Sequence, residues 1–182
     1  MKKAFLIGVA LVPLVGCVPQ MPLPSSMMEA DEVVQNQVQK EYYLKGKVAL
    51  ADFEAHTSNE VLNTWYVSAK YGAQASFSRV GLLSQDPNKA KYILSGIIKD
   101  AGNPSCFFGT CETGSSIEYT MIEAKSKKVV YQDLLVVPYT QEYPAFGANM
   151  VAVIHQTMGG AVGNNFAHAI HVLTQKTQGD LQ

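Results

Sequence analysis

Cys106 and Cys111 enclose four residues, Phe107-Phe108-Gly109-Thr110, and with Cys17 they are the only thiols of the chain. Two thiols at this spacing can clasp a local hairpin as a disulfide, act as a redox dithiol, or supply half of a zinc site. Redox dithiols are usually spaced C-x-x-C and zinc needs a second ligand pair. The structural clasp is therefore the expected state, with Gly109 supplying the backbone freedom of a tight loop. Among the histidines, His168 and His171 lie three apart, so on a helix they are neighbours. With His155 or a loop carboxylate they can approach a metal site, but two neighbours fall short of the three or four convergent ligands zinc requires. As partly exposed surface or interface residues near a helix end, where the dipole favours a cation, these histidines are more simply explained. They remain candidates only, and no metal or cofactor is expected. Asp52 and Glu54, two apart on one strand, offer paired carboxylates or simply a solvated strand end. No G-x-S-x-G elbow, phosphate loop or H-E-x-x-H motif occurs, so no catalytic residue is assigned and an enzyme is not expected.

The aromatic pair inside the cysteine loop has a different chemistry. A clasped loop would present Phe107 and Phe108 rigidly, as a contact tip for a membrane or a partner; alternatively, one ring plugs the end of a sheet.

Cys17 sits in another context. Met1-Lys2-Lys3 is a positive head, Ala4 to Val15 is an apolar run of 12 residues, and Gly16 precedes the cysteine. Together they read as a secretory signal, too short for a spanning helix of roughly 20 residues. The ending Leu14-Val15-Gly16-Cys17 resembles the bacterial lipobox. That resemblance implies cleavage before Cys17 and conversion of Cys17 to a thioether-linked, amino-acylated anchor, several acyl chains holding the chain firmly where one would be marginal. Val18 in place of aspartate implies, by the same resemblance, the periplasmic face of the outer membrane. In that oxidising compartment the remaining pair, Cys106 and Cys111, is expected to be joined.

Composition bounds the rest. Removing residues 1–16 leaves 166 of the 182 residues, enough for one domain with its own core. With 47% apolar and 16% charged residues the chain is globular. Its formal charge of −1 becomes −3 without the two leader lysines, so nucleic acid is not an expected partner. The expected partners are the membrane, through the lipid, and an envelope protein or peptidoglycan.

These residues need elements to position them. Residues 17–42, with prolines, serines and paired methionines, read as a lipidated flexible tether. Residues 43–177 read as the folded domain and 178–182 as a tail. Residues 46–54 alternate as a strand, Val48 and Leu50 opposing Ala49, Ala51 and Phe53. A helix capped by Ser68 runs to Gly81, and strands follow over 89–99, 115–124 and 127–138, the last two forming a hairpin. Residues 145–176 carry apolar positions at helical spacing from Val151 to Leu173. Gly159, Gly160 and Gly163 interrupt that helix, implying a kink or a close approach to the sheet. The expected fold is α+β: strand-helix-strand-strand-strand-helix, a mostly antiparallel sheet covered by two helices.

In this order, Trp65, Gly81-Leu82-Leu83, Tyr92-Ile93-Leu94-Ser95-Gly96, Val129-Val130-Tyr131 and Asn164-Asn165-Phe166 resemble a family of small proteobacterial lipoproteins. Its members often carry the name UDP-N-acetylglucosamine acyltransferase. True acyltransferases of that name repeat a hexapeptide to build a β-helix, and no such period runs through this chain. The resemblance carries over no reaction, and the absence of a catalytic motif favours a non-catalytic binding or envelope-assembly lipoprotein. The alternative is a periplasmic metal-binding protein or enzyme using His168 and His171.

Overall fold

The structure is a computed structural model that describes residues 25–30, 38, 41–55 and 66–181. Cys17, His56 and Trp65 lie outside the described residues. The elements run β1 (Val48–Ala55), α1 (Tyr66–Arg79), β2 (Tyr92–Asp100), β3 (Ser105–Phe107), β4 (Thr110–Glu123), β5 (Val129–Glu142) and α2 (Met150–Gln175). The expected α+β order is present, with the three-residue β3 added and β4 extended back to the cysteine loop.

Connectivity follows from local chemistry. β1 reaches β2 through α1 and lies parallel to it, as a helical crossover allows. The other three pairings, β2 with β4, β3 with β4 and β4 with β5, are antiparallel. β2 and β3 lie along the same side of β4, and β5 lies along the other. Helix α1 ends on a Schellman turn: Gly81, at φ 76°, donates to Ser78 O and Leu82 N–H donates to Phe77 O. Ser68, expected as the N-cap, sits inside a helix that starts at Tyr66.

Period-2 patterning sorts the sheet into two faces. Tyr92, Leu94 and Ile98 of β2 and Ile117, Tyr119 and Met121 of β4 are buried against the helices. β1 departs from simple alternation. A register shift between Leu50 and Phe53 turns Phe53 onto the core face with Val48, where it packs edge-on against Tyr119 and Phe166. Gly96 lies opposite Phe53, and a Cβ there would stand 2.2 Å from that ring. The second face carries half-exposed apolar side chains, among them Val129, Leu134 and Val136 of β5.

Two of the three glycines of α2, Gly159 and Gly163, are explained by something other than the sheet. The helix is continuous through them, and the backbone of Ser25–Ala30, expected to be tether, lies against its surface. Cβ atoms on Gly159 and Gly163 would meet the carbonyls of Met27 at 2.9 Å and Glu29 at 2.5 Å; one on Gly72 of α1 would meet Met28 O at 2.9 Å. Met28 is buried, Ala30 N–H donates to Ser76 Oγ at 2.8 Å, and Glu29 pairs with Arg79. Only Gly160 faces a sheet residue, the Tyr139 ring. At the other terminus Leu181, assigned to the tail, joins the core cluster.

Buried phenols make the fold alkali-sensitive. Tyr42 donates to Val80 O at 2.8 Å, and burial pushes its pKa up to about 12; burial also raises that of Tyr119. Their folded-state values exceed the unfolded value of about 10, so the associated stability is complete below pH 10 and is lost as pH rises through 12. Circular dichroism is expected to show unfolding only above about pH 10, together with tyrosinate absorbance. Tyrosinate absorbance that is complete while the far-ultraviolet signal stays native would contradict this.

Candidate functional site

The cysteine loop is a two-residue hairpin. Cys106 pairs with Cys111 and Phe107 with Thr110, which leaves Phe108 and Gly109 as the turn residues. Both have positive φ, 41° and 93°, the sign that a type I′ hairpin turn requires at both central positions and that matches strand twist. Glycine accepts this freely, whereas a bulky phenylalanine rarely does. A disulfide joins Cys106 and Cys111 directly across the strands, with Cα atoms 4.0 Å apart. It occupies both thiols in the described state, leaving neither as a metal ligand.

Neither ring plugs the sheet. Phe107 is 83% exposed and Phe108 77%, their centroids 6.3 Å apart. A third ring joins them: Phe146, 86% exposed, stands edge-on to Phe108 at 6.5 Å. The β5–α2 loop that carries it is fastened at both ends. Tyr143 N–H donates to Gly109 O at 2.8 Å, and Asn149 caps α2 by accepting from Val151 and Ala152 N–H. A Cβ on Gly109 would lie 3.3 Å from Tyr143 O, so this position favours glycine for space as well as for φ. Met150 and Val151, both exposed, continue the apolar surface along the first turn of α2. The result is an aromatic knob held by a disulfide, a hydrogen bond and a helix cap.

Phe146 was not singled out by the sequence pattern. The available signal was its setting, Tyr143-Pro144-Ala145-Phe146-Gly147, an aromatic between turn residues where no periodic element can bury it.

The other candidates do not converge. His168 and His171 are exposed on α2, and His171 Nε2 lies 3.0 Å from Gln175 Nε2. His171 is 21 residues from the start of α2, about 32 Å along its axis, so a histidine and cysteine-loop site is not assembled. Among the described residues no three metal-ligating side chains gather. Asp52 pairs with Lys70 of α1, and both Asp52 and Glu54 are exposed near the end of β1, as on a solvated strand end.

A second cluster, not foreseen from sequence, lies where β2 begins. Lys91 Nζ donates to Tyr43 OH at 3.0 Å, Tyr43 and Tyr92 hydroxyls are 3.2 Å apart, and Lys47 Nζ sits 3.7 Å over the Tyr43 ring. Hydrogen bonding to Tyr43 raises the Lys91 pKa, and the bond from Lys91 lowers that of Tyr43. Lys91 is thereby held as a cation, which disfavours it as a nucleophile and suits it to bracing the sheet end.

No family model and no curated protein sequence matches the chain. Among solved structures it is similar to a candidate lipoprotein from Caulobacter crescentus, with TM-score 0.51 and 12% identity over 78% of this chain and 93% of that one. It is also similar to a Xanthomonas campestris protein of the DUF330 family, with TM-score 0.49 and 8% identity over 69% of this chain and 82% of that one. A minor lipoprotein from Acinetobacter baumannii aligns with TM-score 0.39 and 15% identity over 72% and 92% of the two chains. At such identities the first likeness shows a shared α+β fold.

Proposed function

We propose that this chain is a lipid-anchored periplasmic lipoprotein of the outer membrane that acts as a non-catalytic binding or envelope-assembly module. The observation that carries the proposal is the aromatic knob. Three rings, each more than three-quarters exposed, are mounted rigidly at one end of the sheet, and such an apolar surface is characteristic of docking. The leader and the Leu-x-Gly-Cys ending support the anchor at Cys17. The joined cysteines suit an oxidising compartment. The likeness in fold to a candidate lipoprotein is in keeping with this assignment.

Cross-linking in intact envelopes followed by recovery of the full chain tests the function. The expected result is a small, reproducible set of envelope components, membrane lipid at the aromatic end included, whose yield falls when Phe107, Phe108 and Phe146 are replaced by serine. Recovery of no specific component, together with turnover of an added substrate that His171→Ala abolishes, would replace the module with the histidine-based alternative.

A further inference from the structure

The path of the N-terminal segment indicates what the aromatic knob faces. The Glu29 carbonyl lies against Gly163 and the Met27 carbonyl against Gly159, so toward lower numbers the segment climbs α2 toward its start. Ser26 lines one groove with Gln141 and Gln156, and Gln141 is the strand partner of Cys111. Ser26 therefore lies on the side of Gly159 toward the disulfide and the aromatic end.

The reach from there is short. Residues 17–24 number eight and span at most about 29 Å fully extended. From Gln141 back along β5 to Val129, at the opposite end of the sheet, is 12 residues, about 40 Å of strand. A surface that holds Cys17 can touch the aromatic end but cannot touch the far end.

The chemistry of that end suits lipid. Phe107, Phe108 and Phe146 are joined by exposed Met150 and Val151, with half-buried Tyr143 behind them. No lysine or arginine occurs in residues 101–124 or 129–175, and exposed Glu112 and Glu142 stand just behind the tip. Anionic headgroups are not attracted to such a surface, so its affinity comes from inserted rings and suits a zwitterionic leaflet. A lipid anchor makes weak insertion sufficient, because the second contact becomes intramolecular.

We propose that the Phe107, Phe108 and Phe146 end seats in the headgroup and acyl boundary of the same leaflet that holds the Cys17 lipid. The domain then stands on its membrane with the Lys125-to-Lys128 turn outermost and the second sheet face accessible from the side. This seating rests on lipidation of Cys17.

The test uses full-length lipidated protein in phosphatidylethanolamine and phosphatidylcholine vesicles brominated at a shallow acyl position, with Phe108→Trp compared with Ser126→Trp at the opposite end. Both variants retain Trp65, so the added emission is read against the parent. The Phe108→Trp emission is expected to fall by roughly half or more, as for a ring about 5–10 Å into the boundary, and the Ser126→Trp emission to stay unchanged. Adding anionic lipid is expected to leave the quenching no greater. Protein that floats with the vesicles while Phe108→Trp is unquenched overturns the seating and leaves the lipoprotein assignment standing. Cross-linking of position 108 to an envelope protein in place of lipid overturns it in favour of a protein interface. Protein that neither carries lipid nor floats overturns both.

Discussion

Replacing Asn165 with alanine is expected to destabilise the domain by about 3–4 kcal/mol, since each buried polar group left unpaired costs about 1–3 kcal/mol. Asn165 is fully buried on the sheet side of α2. Its Oδ1 accepts from Tyr119 OH at 3.0 Å, and its Nδ2 donates to Ser115 O at 3.2 Å and Leu135 O at 2.9 Å. One side chain thus pins the helix to both strands of the β4–β5 hairpin and satisfies the phenol of the largest fully buried residue. Alanine would orphan that phenol and take a donor from two carbonyls. Aspartate would keep the acceptor but lose the donor and bury a charge, and is expected to be worse. Urea unfolding measures both variants. A loss below about 1 kcal/mol for alanine would show that water replaces the amide and that the clamp is not structural.

Gly163→Ala is the second large effect, and its sign is diagnostic. Helix propensity alone favours alanine over glycine by about 1 kcal/mol in a helix interior. Here the added Cβ would stand 2.5 Å from Glu29 O, a backbone atom that moves only if the Ser25–Ala30 segment moves. Displacing the segment exposes Met28, worth about 2–3 kcal/mol of burial, and breaks the Ala30 to Ser76 hydrogen bond, worth about 1 kcal/mol. The net expectation is a loss of about 2–3 kcal/mol and faster proteolysis within residues 25–40. In a chain lacking residues 1–30, the same substitution is expected to stabilise. A stabilising effect in the full chain would show that the segment does not press on α2.

The sheet and both helices were legible because their signals are local. Alternation over β4, the charged turn after Glu123, and apolar spacing from Val151 to Leu173 each depend on residues near one another. What stayed hidden depends on partners distant in sequence. Gly159 and Gly163 announced a close approach, but only the fold shows that the approaching backbone is Met27 to Glu29 and not the sheet. The segment around Met28 looks like tether because six residues with two adjacent methionines carry no period, yet a groove between two helices buries Met28 and Ala30 without one. Phe53 was placed on the wrong face because a bulge is a register event between strands, invisible in either strand alone.

The site was legible in part. Cys106, Cys111, Phe107 and Phe108 formed a recognisable loop, since close cysteines around a glycine leave few conformations. Phe146 joins them across 38 residues of sequence, through a hydrogen bond from Tyr143 to Gly109 that no spacing rule anticipates. His168 and His171 had metal spacing but lacked convergent partners among the described residues. Spacing along one helix supplies two ligands at most, and the rest must come from the fold.

Labelling with radioactive palmitate tests whether the domain acts from a lipid at Cys17. The wild-type chain is expected to take up label and sediment with outer membranes, whereas Cys17→Ser is expected to carry no label and to be recovered folded in the soluble periplasmic fraction with the Cys106 to Cys111 bridge intact. Label retained in Cys17→Ser, or a wild-type chain that is unlabelled and soluble, would contradict it.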